Sequence, residues 1–257
     1  MSVPVSAGAD TGPIGLVPAL VAIETATETV GVAVRTPAGV QAEFALTGRR
    51  RHVETLTPAL EHLLAQVGLV PGDVGAVAVD VGPGLFTGLR VGVAAAKALA
   101  QSLGIGVFTA TSLDILTAAV AASGQRGLVL ACVDARRGEV FASLREIRPD
   151  GTAGGERVRP GLFAPGDLAA ALGGLGGVRI LAVGDGAQRY EAELAGVDGV
   201  EVASPDLGFP PPAVLLRLAL ADLLGGKSPD EPASVVPLYM READAQSNFA
   251  RADRSRD

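Results

Sequence analysis

The chain has 257 residues, 48% of them apolar and 19% charged, with a formal net charge of −7. Its length allows one large domain or two modest ones, its apolar share implies a globular fold, and its acidic balance argues against a protein that grips nucleic acid by bulk electrostatics. One cysteine, Cys132, excludes an intramolecular disulfide, and with only two histidines it leaves too little for a Cys/His zinc site; a reducing, cytoplasmic setting is the simplest expectation.

Residues 1–18 are small, polar and broken by Pro and Gly, which predicts a disordered leader without the basic start and apolar run of a secretion signal. No apolar stretch is long enough to span a bilayer. Strands are predicted at 19–24, 30–36 and 40–46, the last two joined by a hairpin at Pro37-Ala38-Gly39. Val53, Leu56, Leu60, Leu63, Leu64 and Val67 recur at helical spacing, and Pro58 either kinks that helix or sits in its first turn with Thr57 as cap. A buried strand follows at 75–81 and a helix at 88–103. A strand at 106–111 and a helix at 112–122 form a junction. Two strands, 128–135 and 139–147, then meet through Arg136-Arg137-Gly138, followed by a Pro/Gly-rich loop, a helix at 165–173, a strand at 178–184 and helices at 186–195 and 211–225. The tail 226–257 is expected to be partly disordered and to fray from about Gln246.

The order strand, strand, strand, helix, strand, helix occurs in the first half and recurs in the second. That repeat predicts an α/β fold of the actin/sugar-kinase/Hsp70 type, built of two ribonuclease-H-like lobes. The N-terminal lobe takes 19–105 with 211–225, and the C-terminal lobe takes 106–210.

The stretch DVGPGLFTGLRVGVAAAKALA, from Asp80 to Ala100, raises the question of a phosphate site. Glycine-rich loops before helices often hold anions on free backbone N–H groups. This loop, however, has no lysine after its last glycine and no serine or threonine placed for magnesium. The alternative is structural: Gly82, Pro83 and Gly84 make a tight turn, with Gly88 just beyond, so that strand and helix pack closely. In the helix, Arg90, Lys97 and Gln101 form one narrow polar stripe, and the rest, including Leu89, Val91, Ala95 and Leu99, is apolar. A helix apolar nearly all round is buried nearly all round. Either a partner helix or the chain's own helix 211–225 must cover the side that the sheet does not. With Val53, Leu56, Leu60 and Leu63 of the preceding helix, these residues are the candidate partner interface.

Other polar features have two readings each. Glu24, Asp80 and Asp134 close strands, either as turn caps or as magnesium ligands of a kinase-like or Hsp70-like ATPase. The turn ETATET (24–29) has no glycine where a phosphate would approach. His52 and His62 lie ten residues apart, about 80° apart on an ideal helix, and are expected at the surface. Arg49-Arg50-Arg51 and Arg136-Arg137 are solvated turns, or docking or tRNA-holding groups.

The segments AIETATETVGVAV, RRRHVETLTPALEHLL, VGPGLFTGLRVGVAAAKALA, TATSLDIL, VDARRGEVFASL, VGDGAQRY and VPLYMREADA resemble, in order, those of the TsaB (YeaZ) family, over about 19–245. The resemblance implies an actin-like two-lobed subunit with no catalysis, cofactor or metal of its own. Its implied partners are the catalytic paralogue TsaD, a TsaE-type ATPase in a larger complex, a second copy of itself when alone, and tRNA within the complex. That complex transfers threonylcarbamoyl from its adenylate to the adenosine beside the anticodon. The chain departs from the family at Glu24, where aspartate is usual, and at Leu85, where serine is usual. TsaD carries two histidines four apart on a helix; the corresponding stretch here, VFTATSLDILTA, has none. An ATPase or sugar-kinase-like phosphotransferase and an active TsaD-like transferase remain the alternatives.

Overall fold

In the computed structural model, which describes residues 17–48 and 52–241, two five-stranded mixed sheets carry the same topology. The first runs β3-β2-β1-β4-β5, from β1 (Ala19–Glu24), β2 (Thr29–Arg35), β3 (Gln41–Thr47), β4 (Val74–Asp80) and β5 (Val107–Ala110). The second contains β6 (Gly127–Arg136), β7 (Glu139–Ile147), β8 (Ala153–Phe163), β9 (Ile180–Val183) and β10 (Val200–Val202) in the order β10-β9-β6-β7-β8. In each sheet the first three strands are antiparallel neighbours and the last two pair in parallel. The predicted actin-like repeat is present, although the sequence places only three of the second sheet's five strands and misses β8 and β10. β1 and β4 are central and buried on both faces, which is why they read as continuous apolar runs.

Helices α1 (His52–Gln66) and α2 (Phe86–Leu103) cover one face of the first sheet, packing on Val21, Ile23, Val77 and Val79. The opposite face, with Leu20, Ala22, Ala76 and Ala78, is covered by α3 (Ser112–Ala122) and α7 (Pro212–Leu224). α4 (Pro165–Gly173), α5 (Asp185–Arg189) and α6 (Glu191–Ala195) pack on one face of the second sheet. α3 serves both lobes: Ile115 and Ala119 enter the first lobe's core, while Leu113, Leu116 and Val120 enter the second's.

Several local expectations need correction. α1 starts at His52, so Thr57 is no cap and Pro58 lies inside the helix. Pro58 and Glu54, whose carbonyl the missing N–H would have bonded, are both exposed, so water can take the bond's place. The Pro/Gly-rich stretch expected as a loop contains β8, an edge strand of irregular register, where proline and glycine are tolerated. Helix 186–195 breaks at Tyr190 into α5 and α6. Within the tail, Asp230 pairs with Val107, Val235 is buried, and the Leu238 N–H donates to the Val81 carbonyl at 2.7 Å. The expected leader, the Arg49-Arg50-Arg51 turn and the tail beyond Gln246 lie outside the described residues, apart from Val17 and Pro18.

Candidate partner face and interlobe cleft

The glycine loop is built around the turn that joins β1 to β2. A Cβ on Gly84 would stand 2.1 Å from the Ala26 carbonyl oxygen, and one on Gly88 would stand 2.0 Å from that of Thr25. Gly92, which the sequence reading did not single out, repeats the pattern: its Cβ would stand 2.2 Å from Thr25 Oγ1. Glycines at 84, 88 and 92 therefore form one i, i+4, i+8 stripe on which Thr25 and Ala26 sit, and that spacing was the available signal. The Leu85 N–H donates to the Ala26 carbonyl at 2.6 Å, and Thr25 Oγ1 donates to the Gly88 carbonyl at 2.8 Å. A carbonyl of the chain itself occupies the helix terminus where an anion would be held. Gly82, at φ 106°, accepts from Ser112 N–H at 3.0 Å, while Ser112 Oγ donates to the Pro83 carbonyl at 2.9 Å. The loop is tied to α3 by these two bonds.

His52 belongs to the same assembly and is not a surface residue. It is buried, with Nε2 2.9 Å from the Thr27 carbonyl oxygen. His62 is exposed.

Beneath the loop lie two carboxyl groups. β1 and β4 pair in parallel with Ile23 opposite Val79, which sets Glu24 and Asp80 side by side at the strand ends. Each caps its own turn: Glu24 Oε1 accepts from Ala26 N–H at 2.8 Å and Asp80 Oδ1 from Gly82 N–H at 2.6 Å. Both are fully buried, and Glu24 Oε2 and Asp80 Oδ2 have no other hydrogen-bond partner. Burial, then the neighbouring Asp80 charge, hold Glu24 well above the usual carboxylate range; burial raises Asp80 as well. The turn-capping reading of these carboxylates is the one their bonds express. In the second lobe Asp134 N–H donates to Asp185 Oδ1 at 3.0 Å, and burial pushes Asp185 up to about 6. Among the described residues no group of three or more His, Cys, Asp or Glu could hold a metal ion.

The predicted interface residues divide. Leu56, Leu63 and Leu89 point into the chain's own core and leave the candidate surface. Val53 is 72% exposed, and Leu60, Val91, Ala95 and Leu99 are half-buried at the rim of that core. With the exposed Ala94 and Ala98 they leave an apolar, small-residue face along α1 and α2. α7 does not cover it, since α7 packs on the other side of the sheet. The polar stripe of α2 is covered instead by the C-terminal segment: Lys97 Nζ donates to the carbonyls of Ala233 and Val235, and Arg90 Nε to Tyr239 Oη. Two cavities open beside the loop. One, of about 1060 Å³, runs past Val53, Thr87 and Val91; the other, of about 590 Å³, is lined by Phe86, Phe141 and Tyr239, and Leu85 and Arg136 line both.

Among the described residues no helix is long and apolar enough to cross a membrane. A family model described as tRNA N6-adenosine threonylcarbamoyltransferase matches residues 35–158. The chain is 36% identical over 131 residues to the tRNA threonylcarbamoyladenosine biosynthesis protein TsaB of Bacillus subtilis, covering 50% of this chain and 56% of that protein. This chain thus spans about half the length of that relative. An uncharacterised protein of Mycobacterium tuberculosis is 34% identical over 230 residues, covering 88% of this chain and 93% of its own. A crystal structure of a Pseudomonas aeruginosa protein, described as similar to peptidase YeaZ, superposes with a TM-score of 0.74 at 25% identity, covering 88% of this chain and all of that one.

Proposed function

Because this chain belongs to the TsaB (YeaZ) family, we propose that it serves tRNA threonylcarbamoyladenosine biosynthesis as a non-catalytic subunit, docking a TsaD-type catalytic paralogue on the α1–α2 face. The observation that carries this reading is that face itself. Val53, Val91, Ala94, Ala95 and Ala98 are small or apolar and at least partly exposed, and no other element among the described residues covers them. Small side chains let a second helix approach closely. A second copy of the chain uses the same face when the paralogue is absent, a TsaE-type ATPase joins the larger complex, and tRNA is held only within it, in the cytoplasm.

A role without catalysis accords with the filled helix terminus at Leu85. It accords also with Cys132, which is buried in β6 with its thiol pKa pushed up by burial, and with Ser112, whose hydroxyl is committed to the Pro83 carbonyl. Neither side chain is placed as a peptidase nucleophile.

The test is Ala98→Arg. Ala98 is exposed, so the variant should fold and melt like the wild type. In a docked helix pair, arginine either separates the helices or buries an unpaired charge, at a cost of several kcal/mol. At about 1.4 kcal/mol per tenfold, affinity for the organism's own TsaD-type protein should fall by about a hundredfold or more. Normal binding by a folded Ala98→Arg variant in titration calorimetry would remove this face from the reading.

A further inference from the structure

We infer that Arg136 is an internal latch that closes the two lobes on each other, in the cleft between the β1–β2 turn and the β6–β7 hairpin. Its guanidinium forks. Nη2 lies 2.7 Å from Glu28 Oε1 in the first lobe, and Nη1 lies 2.9 Å from Asp134 Oδ2 in the second. The Asp134 carboxylate is buried, and Arg189 Nε approaches it at 3.5 Å.

The backbone is shaped to aim this side chain. The β6–β7 hairpin closes through Arg137 and Gly138, at φ 57° and 81°, a two-residue turn that needs left-handed conformations at those positions. Nothing in such a turn requires one at the residue before it, yet Arg136 is also left-handed, at φ 64°. Non-glycine side chains avoid that region. The register shifts between Asp134 and Arg136, so Arg136 sits in a bulge, and bulges serve to re-aim a side chain. The conformation is held from several sides: the Arg136 N–H donates to Asp134 Oδ1 at 2.9 Å, and Arg241 donates to the Ala135 carbonyl at 3.0 Å while pairing with Glu139. Arg241 ends the segment that crosses from α2, where Val235 is buried, to this hairpin. The latch is therefore backed by a strap joining the same two lobes.

An isolated exposed ion pair contributes little. This one has one buried carboxylate, a two-pronged guanidinium and a bulge maintained against its own preference. The side chain spans the cleft between the two carboxylates, and with Leu85 it lines both cavities. The chain thus bridges its cleft with its own cation.

Interlobe distance tests this on the full chain, independently of any partner. Spin labels at Gln66→Cys in α1 and Ala170→Cys in α4, both exposed, report on one lobe each, while the native Cys132 is buried and silent. The wild type should give one narrow distance distribution. Arg136→Gln and Glu28→Gln should each broaden it and move it outward, with Arg136→Lys between, because an ammonium keeps the charge but loses the fork. Molar salt should widen the wild-type distribution and leave Arg136→Gln unchanged. Should Arg136→Gln fail to fold by circular dichroism, Glu28→Gln decides, since Glu28 lies at the mouth of the cleft on the other lobe. Unchanged distributions in folded Glu28→Gln, or in folded Arg136→Gln, overturn the latch.

Discussion

A methyl group added at Gly88 would have to displace the Thr25 backbone, because its nearest contact at 2.0 Å is a carbonyl oxygen that no rotamer can move. Gly88→Ala should therefore destabilise the chain by about 2–4 kcal/mol in urea unfolding, whereas Gly72→Ala, with nothing within 4 Å, should change it by less than about 0.5. Equal effects would mean that the glycine stripe is incidental to packing. The buried carboxyls make a second expectation, in pH. Asp185 rises in the folded state to about 6 from an ordinary 3.8, so between those values the folded chain holds more proton than the unfolded one. Stability then falls as pH rises across that window, and the contribution is gone above it. Asp185→Asn keeps an oxygen for the Asp134 N–H and has no proton to lose. Relative to wild type it should be nearly unchanged near pH 4 and about 2–3 kcal/mol more stable at pH 7 to 8. A difference in melting temperature that does not grow with pH would refute this.

Helix α2 shows what an element can lose and still form. Its N-cap is Leu85, which has no side-chain acceptor for the first-turn N–H groups, and its first turn carries no acidic residue. The helix is held by packing on the sheet and by the Ala26 carbonyl instead. Leu85→Ser supplies the missing acceptor, and thermal melting should register a gain of about 0.5–1 kcal/mol, less whatever the half-exposed leucine contributed to the cleft wall. A loss of stability would show that Leu85 acts mainly through packing. The same helix marks the limit of pattern reading. Periodicity identified its polar stripe correctly, but it assigned Leu89 to the outside, although Leu89 is buried beside Gly82 of the glycine loop. β8 stayed hidden for a related reason: Pro160 and the glycines of an edge strand look like loop when sequence is the only guide. The burial of His52 depends on the Thr27 carbonyl, 25 residues earlier in the chain, and no local spacing encodes that.

At the scale of the whole chain the repeated strand order was legible because each central strand is an unbroken apolar run with a turn signal after it. The crossing elements were less so. α7 returns from the end of the second lobe to cover the first sheet, and the segment from Asp230 to Arg241 ties α2 to the β6–β7 hairpin by bonds that leave no periodic trace in sequence. α3 places Ile115 in one core and Leu116 in the other. Neither lobe can therefore be unfolded without exposing apolar surface of its neighbour. The chain should melt in a single transition, with calorimetric and van't Hoff enthalpies equal, despite its two-lobed shape. A fragment ending after α3 lacks α7, leaves Leu20, Ala22, Ala76 and Ala78 covered by α3 alone, and should bind a hydrophobic dye without cooperative melting. Two separable transitions in the full chain, or a cooperatively folded fragment, would mean that the lobes are independent domains and that α3 and α7 only link them.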